Sequence, residues 1–153
     1  MAEQTTQRMT IAASPERVWE VLIDFDGYPE WAPDLKEAAV GAQDADGRGT
    51  EVTFRAAAMG RSTSYTLAYD YAKAPGELTW RLLAGDIMRR LDGSYRLDTV
   101  DGDPHATDVT YNLAVELVVP LPGFVKRRAE ARIIHTALEE LKDYLESDHK
   151  ATA

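Results

Sequence analysis

The sequence contains no cysteine, only three histidines, and no apolar run long enough to cross a bilayer. Without cysteine there is no disulfide framework, no thiol nucleophile and no cysteine-ligated zinc, and the composition fits a reducing compartment. The longest apolar stretch, Leu113 to Val119, is interrupted by Glu116 and stopped by Pro120. The opening MAEQTTQRMT has no apolar core of the length a signal peptide needs, so a cytoplasmic location is expected. Positive charge is also scarce: 17 Lys and Arg stand against 26 Asp and Glu, a formal net charge of -9. Nucleic acid is not an expected partner, because counterion release needs a clustered basic surface and the bulk field here repels polyanions. Signatures of the form HExxH, GxSxG, GxGxxG and the Walker loop are missing, as are internal repeats and low-complexity tracts.

What is present is a globular composition, 44% hydrophobic and 28% charged, at a length that buries one real core. A single domain is expected over residues 1–147, with 148–153 as a disordered tail. Thr5 to Ile11 reads as an edge strand. Ser14 then offers an N-cap and Pro15 an N1 residue, followed by Val18, Trp19, Val21 and Leu22 on one helical face. The stretch FDGYPEWAPDL crowds Tyr28, Trp31, Pro29 and Pro33 together and leaves room for one further helical turn at most. A strand from Leu35 to Val40 and a turn over GAQDADGRG follow.

From Gly49 to Leu117 the pattern switches to period two, as in Val52, Phe54, Ala56 and in Tyr65, Leu67, Tyr69. Further strands carry Leu78, Trp80, Leu82, then Leu91, Tyr95, Leu97, then Val109 to Leu117. The turns MGRS, KAPGE, AGD and VDGDPHATD are too short for parallel crossovers, so the strands form an antiparallel meander of about seven with the first edge strand. After PLPG a helix is expected from Phe124 to about Glu146, its apolar stripe formed by Ala131, Ile134, Leu138, Leu141 and Leu145. That helix must cover the sheet, which makes an α+β fold.

No metal is expected: DADG lacks the terminal glutamate of a calcium loop and reads as a hairpin turn, and Asp101, Asp103 and His105 read as a solvated turn. His135 is the one histidine on an element that could face an interior. If Leu91, Tyr95 and Leu97 face the helix, parity turns Arg89 inward and Arg90 outward, unless a bulge at Gly93 reverses this. Arg128 follows Phe124 by one turn and precedes His135 by seven residues. Placed in an apolar pocket, Arg128 would need a carboxylate, a hydroxyl or a ligand oxygen; placed on the solvated start of the helix it needs none. His135 has the same two readings, base or packed boundary residue.

The pieces SPERVWEVLIDFDGYPEWAPDLKEAAV, LDGSYRL and VTYNLAVELVVPLPGFVKRRAEARIIHTALEELKDYLE resemble the START-like (SRPBCC, helix-grip) superfamily, in its bacterial polyketide cyclase/dehydrase and coenzyme Q-binding-protein-like branch. The resemblance implies a curved antiparallel sheet of about seven strands wrapped around a long C-terminal helix, with two short helices after the first strand. It also implies a cavity between sheet and helix for a lipid, polyketide, sterol or quinone, with no cofactor. On that footing Tyr28 and Trp31 stand at the mouth, as gate or as plug of the core. Phe54, Tyr65, Trp80, Leu91, Tyr95 and Tyr111 line the sheet side, and Phe124, Ala131 and His135 the helix side, with Arg89 or Arg128 orienting a polar end. Small residues such as Ala56, Ala58, Ala114 and Ala131 would leave the room.

The expected function is binding of a hydrophobic small molecule. The alternative is a polyketide aromatase/cyclase, in which Arg128, His135 and Tyr95 are the candidates for stabilising an enolate or exchanging protons. A third reading makes VVPLPGFV a surface for transient contact with a membrane or a protein, stable membrane association not being expected.

Overall fold

The computed structural model describes residues 3–58, 61–118 and 120–152, with side chains for 5–57, 62–118 and 120–147. The chain runs β1 (Glu3–Ile11), α1 (Pro15–Ile23), a single 3-10 turn (Phe25–Gly27), α2 (Tyr28–Trp31), β2 (Leu35–Gln43), β3 (Gly49–Ala58), β4 (Arg61–Asp70), β5 (Glu77–Gly85), β6 (Met88–Val100), β7 (Asp103–Leu117) and α3 (Gly123–Thr152). The strands form one seven-stranded sheet in the order β1-β7-β6-β5-β4-β3-β2. Every neighbouring pair is antiparallel. β1 and β2 therefore occupy opposite edges, and α1 and α2 carry the chain from one to the other. This is the α+β helix-grip arrangement with two short helices after the first strand.

Local chemistry sets the ends of these elements. Ser14 caps α1 through its side chain, which accepts from the Arg17 amide at 3.2 Å, and Pro15 opens the first turn. Val18, Val21 and Leu22 are the buried face of α1. The Tyr28 hydroxyl donates to the Leu22 carbonyl at 2.5 Å and ties α2 back onto α1. In the β2–β3 turn the Asp44 carboxylate accepts from the amides of Asp46 and Arg48 and from Arg48 Nε. Gly102, at φ 77°, closes a tight β6–β7 turn that pairs Val100 with Asp103. His105 consequently lies in strand β7 rather than in the turn expected for it. The MGRS turn falls partly on Met59 and Gly60, outside the described residues.

Helix α3 continues through Thr152, past the expected end near Glu146, because no proline or glycine follows Gly123 to stop it. The 148–153 stretch expected as a tail is thus helical to Thr152, and Ala153 lies outside the described residues. Ile134, Leu138, Leu141 and Leu145 are buried on the sheet as expected. Ala131, however, is exposed, and Glu130 takes the buried place one turn before Ile134. The reason is a hydrogen bond: Glu130 is 3% exposed and its carboxylate accepts from the Leu117 amide at 2.9 Å, at the end of β7. A buried acid with a backbone partner fixes the rotation of the helix where a methyl group cannot.

Candidate functional site

Between the sheet and the first half of α3 lies a cavity of about 560 Å³. Strand alternation supplies its floor: Phe54, Tyr65, Tyr69, Trp80, Tyr95 and Tyr111 all point to the same side of the sheet. Their rings are in contact across the strands, with centroids 4.8 Å apart for Tyr95 and Tyr111, 5.2 Å for Trp80 and Tyr95, and 5.5 Å for Phe54 and Tyr65. Gly93 makes this ladder possible. A Cβ there would stand 2.3 Å from the Asn112 carbonyl oxygen and 2.8 Å from the Trp80 ring. Gly93 pairs regularly with Trp80 and Leu113, so the bulge considered at this position is absent.

The roof is α3, where Ala129, Ile133 and Ala137 recur every four residues and face the space. The side wall is α2. Tyr28 and Trp31 both line the cavity with ring centroids 4.9 Å apart, and Trp31 is 6% exposed. The indole is therefore part of the wall, and its Nε1 has no hydrogen-bond partner among the described residues. The corner after α2 is fastened to β3 by the Ala57 amide, which donates to the Asp34 carbonyl at 2.8 Å. Asp34, Arg132 and Glu140 also border the cavity; Asp34 and Arg132 are solvent-exposed, which makes this charged edge its rim.

Five residues expected at the site lie elsewhere. Arg89 is exposed and pairs with Glu116 at 3.2 Å, because the β6–β7 register shifts between Met88 and Arg90. That irregularity turns Met88 and Leu91 inward and leaves Arg89 and Arg90 both outside. Arg128 and Ala131 are on the solvent side of α3, and so is His135, whose Nε2 stands 3.2 Å from Glu139. Phe124 is 62% exposed at the start of α3. All four lie off the buried face of α3, which is formed by Glu130, Ile134, Leu138, Leu141 and Leu145. The helix residues at the cavity are instead Ala129, Arg132, Ile133, Thr136, Ala137 and Glu140. The acid one turn before Ile134 was the available signal for this rotation. Of the small residues, Ala56 does line the cavity and Ala114 does not, while the side chain of Ala58 is outside the described residues.

A family profile described as "Polyketide cyclase / dehydrase and lipid transport" matches residues 2–146. The chain belongs to this family. No curated protein matches it. Solved structures share the fold: a START superfamily protein from Mycobacterium smegmatis aligns with a TM-score of 0.84 at 23% identity, over 94% of this chain and 97% of that one. The Zhui aromatase/cyclase from Streptomyces sp. R1128 aligns with a TM-score of 0.81 at 18% identity, over 100% and 97%. The ginseng major latex-like protein 151 from Panax ginseng aligns at 0.70 and 10% identity, over 94% and 97%. At such identities the likeness carries the fold alone.

Within this polyketide cyclase/dehydrase and lipid transport family member, the interior polarity comes from tyrosine. The hydroxyls of Tyr65, Tyr69, Tyr95 and Tyr111 make no hydrogen bond among the described residues, whereas that of Tyr28 is spent on Leu22. Burial pushes the phenols of Tyr28, Tyr69, Tyr95 and Tyr111 well above their ordinary value, and neighbouring tyrosines add to the shift. Burial raises Tyr65 as well. Raised in this way, the phenols stay protonated at neutral pH. Thr63, also at the cavity, is engaged by the Asp86 carboxylate through its hydroxyl, the leading cause of that carboxyl's lowered pKa. At the rim, Glu140 is raised by partial burial first and by the Asp34 charge second, with Arg132 opposing.

Proposed function

We propose that the protein binds a hydrophobic, oxygen-bearing small molecule in the cavity, for carriage or presentation. One observation carries the reading: an aromatic-walled space of about 560 Å³ into which tyrosine hydroxyls project without partners in the described chain. The space opens to solvent at the Asp34 and Arg132 rim, so water fills it when no ligand does. An apolar lining makes a poor home for water, and a plain hydrocarbon that displaced it would leave the hydroxyls without partners, at about 1–3 kcal/mol for each polar group so buried. A quinone-like or polyketide-like molecule, with carbonyl or hydroxyl oxygens on a flat frame, meets both requirements.

The family description and the aromatase/cyclase fold relative support a second reading, polyketide cyclisation in the same space. The observation in its favour is Glu140, a cavity-edge carboxyl whose raised pKa suits a general base. In that reading tyrosines such as Tyr95 polarise carbonyls as donors. Arg128 and His135 face solvent and take no part.

Native mass spectrometry of gently purified protein tests the proposal. The expected result is a bound small molecule, absent from an Ala137→Phe variant whose new ring fills the roof. A bare chain that also fails to take up 1,8-dihydroxyanthraquinone would contradict the reading, and turnover of a poly-β-ketone mimic that disappears in Glu140→Gln would favour the cyclase.

A further inference from the structure

The exposed large hydrophobics of the described residues are Leu83, Val118 and Phe124, and the last two stand at the two ends of the connector from β7 into α3. Pro120 and Pro122 between them are exposed as well. The residues that follow are Lys126, Arg127 and Arg128, with Arg132 one turn later. Two features make this run unusual. The positive end of the α3 peptide dipoles lies here and favours anions, yet the first turn contains no acidic residue. The chain as a whole has a large excess of acid, yet Lys126, Arg127 and Arg128 form no ion pair among the described residues. Nearby Glu130 does not neutralise them at the surface, being buried against the Leu117 amide.

Spacing orders the features along one exposed line. Phe124, Arg128 and Arg132 recur every four residues, so the apolar tip leads through a cation to the residue that borders the cavity rim. We propose that this end of the molecule docks peripherally on an anionic lipid bilayer, Phe124 and Val118 entering the interface while Lys126, Arg127 and Arg128 meet lipid phosphates. The charge complementarity selects the partner. A cationic, apolar-tipped patch on a chain of net charge -9 orients the molecule with this end toward an anionic plane and the acidic remainder away from it. No helix of the described residues is long and apolar enough to cross a membrane, so the association is superficial and reversible. It turns the Arg132 side of the cavity rim toward the bilayer, which, on the ligand-binding reading above, shortens the path of a hydrophobic molecule between lipid and cavity.

Co-sedimentation of the full chain with phosphatidylglycerol vesicles, compared with phosphatidylcholine vesicles, is the test. Binding is expected only to the anionic vesicles and should weaken as salt rises. Arg127→Ala and Arg128→Ala should each lower vesicle affinity about five-fold, and Phe124→Ser should lower it further at unchanged circular dichroism. Arg96→Ala, at the opposite end of β6, should change nothing. No binding to anionic vesicles at low salt, equal binding to both lipids, or binding indifferent to Arg127, Arg128 and Phe124 would overturn the proposal. So would a residue-dependent affinity for inorganic phosphate or an oligonucleotide without affinity for vesicles.

Discussion

Two neighbouring stripes of α3 do opposite things against the same sheet. Ile134, Leu138, Leu141 and Leu145 present branched aliphatic side chains that are buried, and there the layers close into a solid core. Ala129, Ile133 and Ala137, on the flank turned toward the aromatic strands, include two alanines, and there the layers stay apart. The lesson is that the hollow is held open by the packed stripe. An apolar space of this size survives only because Leu138, Leu141 and Leu145 anchor the helix at the correct height over β1 and β7, and Glu130 pins its start to the end of β7.

The largest expected effect lies on the packed side. Leu138→Ala should destabilise the protein by about 2–5 kcal/mol in urea unfolding, and a loss below about 1 kcal/mol would mean that the packed stripe is not an anchor. Ala137→Phe, one residue away on the hollow side, should change stability by less than about 1 kcal/mol, because the added ring enters space rather than atoms. Next in size is Tyr111→Phe. It removes a hydroxyl without a protein partner, so stability should hold while affinity for an oxygenated ligand falls about five-fold, the worth of one net hydrogen bond. Equal affinities for the two forms would remove the hydroxyl from the site.

The smallest effect concerns pH. Glu140 is raised in the folded state, so the fold favours its protonated form: that contribution is fully present below the ordinary carboxylate pKa and is lost as pH rises through the folded value. Glu140→Gln should therefore be slightly more stable than the parent at neutral pH, with the difference vanishing in acid. A difference that grows as pH falls would show the opposite sign of coupling.

The sheet side of the cavity was legible in the sequence and the helix side was not, for a physical reason. Pleating has a period of two, so one inward residue such as Tyr111 fixes its neighbours, and Phe54, Tyr65, Trp80, Leu91 and Tyr95 follow from the same alternation. It fails only at a register irregularity, which is what misplaced Arg89. A helix turns about 100° per residue, so the buried stripe of Ile134, Leu138, Leu141 and Leu145 leaves Arg128 and His135 to one side of it, which is the reading outside the cavity that the sequence left open for both. The spacing of Phe124, Arg128 and Arg132 marks an exposed face, and the hydrogen bond that buries Glu130 against the Leu117 amide is not visible in hydrophobic periodicity. Trp31 was placed at the cavity by the family resemblance, as gate or as plug, and its indole is buried in the wall beside Tyr28, on a four-residue helix that contains Pro29 and is followed by Pro33.

The most direct test is calorimetric titration of 1,8-dihydroxyanthraquinone into the parent protein and into Ala137→Phe. Filling the roof should lower affinity at least about ten-fold, equivalent to about 1.4 kcal/mol, while the urea midpoint stays put. Equal affinity in the two proteins would mean that the molecule binds outside the hollow, and the account of a ligand held between the aromatic strands and α3 would be wrong.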